Sequence, residues 1–167
     1  MDGACGDVLS MKTDNPIKLG VNDALKDAQF QRKSNTWYRD TDETIVLVNV
    51  QKSNFGEQYY INLSVWVKGL PGDPCVRLPS QAVLCHIEGR LGGLMPGEDE
   101  RLRQMLNVED ESLEKDQRRH AIEDVITRIV LPFLLQCSTR AGIREAYGQG
   151  RLRCFAVKQS VLDCIRE

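Results

Sequence analysis

The sequence predicts an α+β fold: an antiparallel β-meander of about four strands, with an N-terminal helix and C-terminal helices packed on one face. Two observations carry this. Segments rich in β-branched residues with period-two alternation are grouped between Thr36 and Glu88, and segments with apolar residues at three- and four-residue spacing come before and after them. The links between the expected strands are short, which favours antiparallel neighbours.

The first helix is expected to start at Asn15, a good cap, with Pro16 in its first turn. Ile17, Val21, Ala24, Leu25 and Ala28 form its apolar face. Ser34-Asn35 reads as a turn. The strands are then Thr36 to Asp40, Thr44 to Lys52, Tyr59 to Lys68 and Ala82 to Glu88, separated by polar, Gly- or Pro-bearing turns. Gly89, Gly92, Gly93, Pro96 and Gly97 mark a loop, and Glu98 to Leu106 a short helix. The longest helical pattern runs from Leu113 to Gln136 with Ser112 as cap, and its stripe is Ile122, Val125, Ile126, Ile129, Val130 and Phe133. Pro132 inside this pattern should kink it or end its regular part. Arg140 to Tyr147 reads as a shorter helix, and Phe155 to Ile165 as a last helix or strand.

A chain of 167 residues, 41% hydrophobic and 28% charged, can bury a core of its own, so residues 15–167 are expected to form one domain. Residues 1–14 show no periodicity and are expected to be a disordered or covering tail. They have neither the basic nor the apolar region of a secretory signal. No apolar run approaches the roughly 20 residues that span a bilayer. These features point to a cytoplasmic protein without a membrane partner. A net charge of −2 supplies no long-range field towards nucleic acid.

Six cysteines, at 5, 75, 85, 137, 154 and 164, include no C-x-x-C pair and are read as free structural thiols. Cys85 beside His86 invites a metal or Cys–His reading, but strand neighbours point to opposite faces. No phosphate-loop, dinucleotide, nucleophile-elbow or zinc-protease motif occurs, and no cofactor or metal is expected. The charges Lys115, Arg118, Arg119 and His120, which follow an acidic run, read as a solvated helix face laced with ion pairs.

The candidate functional surface is the polar side of the strands. Asn49 and Gln51 share one face of their strand; Asn62, Ser64 and Trp66 share one face of the next; His86 and Glu88 share a face of the fourth, with Arg90 just beyond. Paired, Asn49, Gln51, Asn62, Trp66, His86, Glu88 and Arg90 would meet on one surface, with Tyr59 and Tyr60 as further aromatic anchors. A half-exposed sheet shows water its polar side in any case. Aromatic residues on that side favour a binding surface.

The segments Asn35-Thr36-Trp37-Tyr38-Arg39, Val48 to Gly56 with its Gln51-Lys52-Ser53, Tyr60-Ile61-Asn62-Leu63 and Cys85 to Leu91 with His86 and Arg90 resemble, in this order, the bacterial family called domain of unknown function 4304. The resemblance covers about residues 15 to 135. Ser64 departs from it where a glycine is expected. It implies a bacterial cytosolic α+β protein and transfers no reaction. Small proteins of this kind resemble immunity proteins, which bind and block a toxin domain.

The reading carried forward is therefore a non-enzymatic protein-binding module whose partner is another protein, such as a toxin domain. Two alternatives stay open: an enzyme using a polar site of His86, Glu88 and Arg90, and a nucleic-acid binder using Arg140, Arg144, Arg151 and Arg153 with Tyr147 and Phe155.

Overall fold

Asn15 caps the first helix as expected: its Oδ1 accepts from the Ile17 and Lys18 N–H groups at 2.9 and 3.2 Å. The computed structural model describes residues 15–72 and 85–166. Helix α1 spans Pro16–Leu25 and buries Ile17, Gly20, Val21 and Leu25. Left-handed residues Gln29 (φ 61°) and Ser34 (φ 56°) then bend the chain into and out of strand β1, Gln31–Lys33.

Among the described residues the sheet has six strands rather than four. After β1 come β2 (Thr36–Asp40), β3 (Thr44–Lys52), β4 (Tyr59–Val67), β5 (Ile87–Arg90) and β6 (Ala156–Val157). Their order in the sheet is their order in the chain, and every pair is antiparallel. The two extra strands are short edge pieces that alternation cannot reveal: β1 is polar and exposed throughout, and β6 has two residues. The expected strand Ala82 to Glu88 is displaced towards Arg90; residues 82–84 lie outside the described residues.

Helix α2 is Asp99–Leu106. Helix α3, Lys115–Val125, starts two residues later than expected, because Glu114 and Gln117 form a reciprocal capping box. The Glu114 N–H donates to Gln117 Oε1 at 3.0 Å, while the Ser112 N–H donates to Asp110 Oδ1 at 2.9 Å. A π turn, Ile126–Val130, leads directly into α4, Leu131–Gln136. Pro132 explains it. Proline has no N–H for the carbonyl four residues back and its ring crowds that carbonyl. The helix widens just before it, with the Leu131 N–H donating to the Ile126 carbonyl, and continues rather than ending. Helix α5 (Arg140–Gly148) is capped by Thr139, whose Oγ1 accepts from the Gly142 N–H at 3.0 Å. The expected last helix or strand is both: β6, then α6 at Gln159–Arg166. No described helix is long and apolar enough to cross a membrane.

One core joins the helices to a single face of the sheet. Val46, Val48 and Val50 of β3 and Ile61, Leu63 and Val65 of β4 pack with Ile17 and Val21 of α1, Ile122 and Val125 of α3, and Phe133 of α4. Thr44 ties sheet to helix: it is fully buried and its Oγ1 donates to the Cys137 carbonyl just past α4 at 3.1 Å.

The basic cluster at the start of α3 requires a correction. Arg119 does make a surface ion pair, to Asp23 at 2.7 Å. Arg118 instead is 2% exposed and points inward. Its guanidinium donates to four carbonyls: Gln104 and Met105 in the last turn of α2, and Asp110 and Leu113 in the following loop. A planar, multi-donor cation suits this job; it neutralises the negative end of α2 and pins the loop.

Candidate functional site

The register of β2 to β5 decides which side chains meet on the face away from the helices. Asn49 lies opposite both Thr36 and Asn62, Gln51 opposite Tyr60, Arg90 opposite Asn62, and Glu88 opposite Ser64. The amides form a ladder across three strands. Asn49 Nδ2 donates to Thr36 Oγ1 at 2.9 Å, and Asn62 Nδ2 donates to Asn49 Oδ1 at 3.2 Å and to Gln51 Oε1 at 3.0 Å. At its edge the Arg90 guanidinium lies over the Tyr60 ring, 4.3 Å from its centroid. Each side chain is held by a neighbour, so the surface is ordered before anything touches it.

Four of the nine predicted residues are not on this open polar patch: Glu88, which caps a backbone N–H, and Tyr59, Trp66 and His86. Tyr59 points to the other face and joins the helix-side core. Trp66 is on the expected face but only 7% exposed, packed with Ile45, Leu47 and Cys85. His86 is 1% exposed and its ring lies 4.1 Å from that of Trp66. The face is thus divided along the strands: an apolar, buried end around Trp66, and a polar end around Asn49, Gln51, Tyr60, Asn62 and Arg90.

The alternation reading of Cys85 and His86 fails because regular pairing begins only at Ile87. Just before it, the His86 N–H donates to the Val65 carbonyl at 3.0 Å, and its side chain bends back so that Nδ1 accepts from the Val67 N–H at 2.8 Å. The imidazole does the work of a backbone carbonyl, which places the Nδ1 lone pair inward and any ring proton on Nε2. Cys85 lies on the same side as Trp66 rather than opposite His86. Burial pushes its thiol up to about 12, with the Glu88 carboxylate adding to the effect.

Glu88 Oε1 accepts from the Cys85 N–H at 3.0 Å and so caps the strand entry. His86, Glu88 and Arg90 therefore go to three different places: a buried ring stack, a backbone cap and a tyrosine face. Three of the four C-terminal arginines named above are engaged, and Arg153 is exposed. Arg140 donates to the Lys68 carbonyl at 2.6 Å and Arg144 to the Ile165 carbonyl at 2.5 Å. Arg151 bonds Gln136 and lies 5.4 Å from the centroid of the Phe133 ring.

Two features beside the polar patch were not singled out from the sequence. Phe55, in the turn joining β3 to β4, is 95% exposed. The available signal was its setting: an aromatic residue in Ser-Asn-Phe-Gly between two strands has no core to enter. Next to this turn is a groove of about 380 Å³, lined by Gln58, Tyr60, Ile61 and Arg90 on the sheet side and by Leu102, Arg103 and Leu106 of α2. It needs tertiary structure to exist, since α2 is some forty residues from β4.

Comparison with curated proteins and with solved structures finds no match. A family model described as Domain of unknown function (DUF4304) matches residues 21–136, more than half of the chain, and the chain belongs to that family.

Proposed function

We propose that this chain is a protein-binding module that seizes its partner with the β3–β4 turn and the adjoining Tyr60–Arg90 groove, and that it acts as an immunity-type protein by blocking a toxin domain. The observation that carries the reading is Phe55, 95% exposed beside an ordered polar patch. Leaving a phenylalanine in water forgoes about 1.5–3 kcal/mol of burial, which a partner recovers by covering it. Binding hot spots have this composition, with an aromatic or arginine anchor ringed by polar groups that need no reordering. The groove, three residues along the chain at Gln58, offers the reciprocal feature, a socket for a partner side chain. The immunity role adds only that the occupied surface of the partner includes its active region.

The test is a pull-down of the tagged full chain from its native lysate with a moderate-salt wash, followed by mass spectrometry and run beside Phe55→Ala. The expected outcome is one stoichiometric protein bearing a toxin-like domain, whose retention falls at least about tenfold in the variant; a hot-spot loss of 1.4 kcal/mol or more has that size. Folding stability should change by less than about 0.5 kcal/mol, as for other exposed sites. A partner held equally well by Phe55→Ala would remove the turn from the interface.

A further inference from the structure

A second cleft lies beside the Tyr60–Arg90 groove and meets it at Tyr59, which lines both. It has a volume of about 870 Å³ and opens between the start of α1, the β1–β2 turn and the loop leading into α3. Four cations line it, Lys18, Arg32, Lys115 and Arg118, against one carboxylate, Glu57. The chain as a whole has net charge −2. Positive charge is thus concentrated here against the balance of the molecule.

The acidic run beside the cleft does not line it: Asp110 accepts from the Ser112 N–H, Glu114 closes the α3 capping box, and Glu109, Glu111 and Asp116 lie outside the lining. Glu57 pairs with Lys52. Arg118 spends its donors on four backbone carbonyls, which hold it in the wall as a fixed charge. Arg32 is also fixed: its Nε donates to the Ser34 carbonyl at 2.9 Å and its guanidinium lies 4.7 Å from the centroid of the Trp37 ring. Its terminal amino groups have no side-chain partner among the described residues, and the residue lines the cleft. Lys18 and Lys115 form no ion pair among the described residues. The two helix ends nearby are closed by their own caps, Asn15 on α1 and Glu114 on α3. Anion affinity here therefore comes from side chains on three separate elements, not from helix termini.

The floor is different. Tyr59, Val108 and Leu113 give it an apolar stretch. A cationic rim over an apolar floor, in a volume within the roughly 300–1,000 Å³ of small-molecule sites, matches a ligand with an apolar or aromatic body and a multiply charged head. Lysines act as compact point charges towards phosphate, and a held arginine adds directed donors. We propose that this cleft binds a small organic phosphate, its phosphate group between Lys18, Arg32 and Lys115 and its body on Tyr59 and Leu113. The proposal does not rest on the protein-binding reading, although Glu57 and Tyr59 adjoin that surface.

ADP and inorganic pyrophosphate are suitable probes, titrated into the isotope-labelled full chain at low ionic strength and followed by amide chemical shifts. The expected result is saturable shifts confined to the start of α1, residues 32–35 and the start of α3, with a Kd below about 1 mM for ADP. Lys18→Gln combined with Lys115→Glu should weaken ADP at least tenfold while the melting temperature is retained; an acidic residue in the first turn of α3 suits the helix dipole. Lys26→Gln, at an exposed position outside the cleft, serves as control and should bind as the parent does. If the double variant unfolds, Lys115→Ala alone carries the test, with weakening expected in the same direction. Absence of saturable shifts with both probes, shifts spread over surface lysines alike, or unchanged binding in the cleft variants would each overturn the proposal.

Discussion

Cys85 and Cys137 lie in the interior, 2% and fully covered from solvent respectively, where a thiolate would lose its hydration. Burial pushes both thiols up to about 12, from 9.0 when unfolded. A folded-state value raised above the unfolded one gives stability that is fully present below pH 9. It is lost as pH rises from 9 towards 12, because the unfolded chain ionises first. At pH 8, iodoacetamide should therefore label the exposed Cys154 and spare Cys85 and Cys137 until urea unfolds the chain, and the melting temperature should fall on alkaline titration beyond pH 9. Fast native-state labelling of Cys85 on peptide mapping would contradict its burial. His86 and Arg118 belong to the same scale. Both carry groups that a sequence reader assigns to solvent or to chemistry, and both serve as substitutes for missing backbone partners. Nothing in the residue types signals this; it depends on which carbonyl or N–H the fold leaves unpaired nearby.

Helices α1 and α3 approach closely at Gly20. A Cβ there would lie 2.5 Å from the Arg119 carbonyl oxygen and 2.9 Å from Ile122 Cβ, so the two backbones could not keep their separation. Gly20→Ala should destabilise the fold by about 1–3 kcal/mol in urea titration, although alanine is the better helix former by about 1 kcal/mol. Stability equal to or above that of the parent would show that the helices have room to part. Element identity was largely legible. The Asn15-Pro16 start, the β-branched run Thr44 to Lys52 and the alternation of Tyr59 to Lys68 are strong local signals; the three elements formed there, the last ending one residue early at Val67. The polar ladder of Asn49, Gln51 and Asn62 followed from the same alternation. What was not legible depends on distant contacts: β1 and β6 exist because a neighbour supplies their hydrogen bonds, and the Tyr60–Arg90 groove exists because α2 lies beside the start of β4. The π turn was hidden for another reason. Ile122, Ile126, Val130 and Leu134 recur every four residues. In a regular α-helix each such step overshoots the previous side chain by about 40°, so the stripe would wander off the core. The wider turn slows the winding and holds these residues in line.

At the scale of the molecule, the family match ends at residue 136, yet the core does not. Leu152, Phe155, Val161 and Ile165 pack in the same cluster as α1 and β3, and the Phe155 ring sits against Phe133 with centroids 5.2 Å apart. That ring also fills the space over Gly89, where a Cβ would come within 2.4 Å of it. A chain ending at Gln136 should therefore lose its cooperative thermal transition and bind hydrophobic dyes, having exposed Phe133 and the β5 edge. A cooperative melt at the parent's midpoint would mean that the last thirty residues are an accessory layer.

The two margins of the sheet have a further consequence. Among the described residues it ends on one side at Gln31, Arg32 and Lys33, all exposed and two of them charged, and on the other at the two residues of β6, followed at once by α6. Neither margin offers a foreign strand enough unpaired backbone to grow upon, and the basic one repels its own copies. The molecule is thereby protected against stacking edge to edge into fibres, and whatever it recruits must be met by side chains rather than by lengthening the sheet.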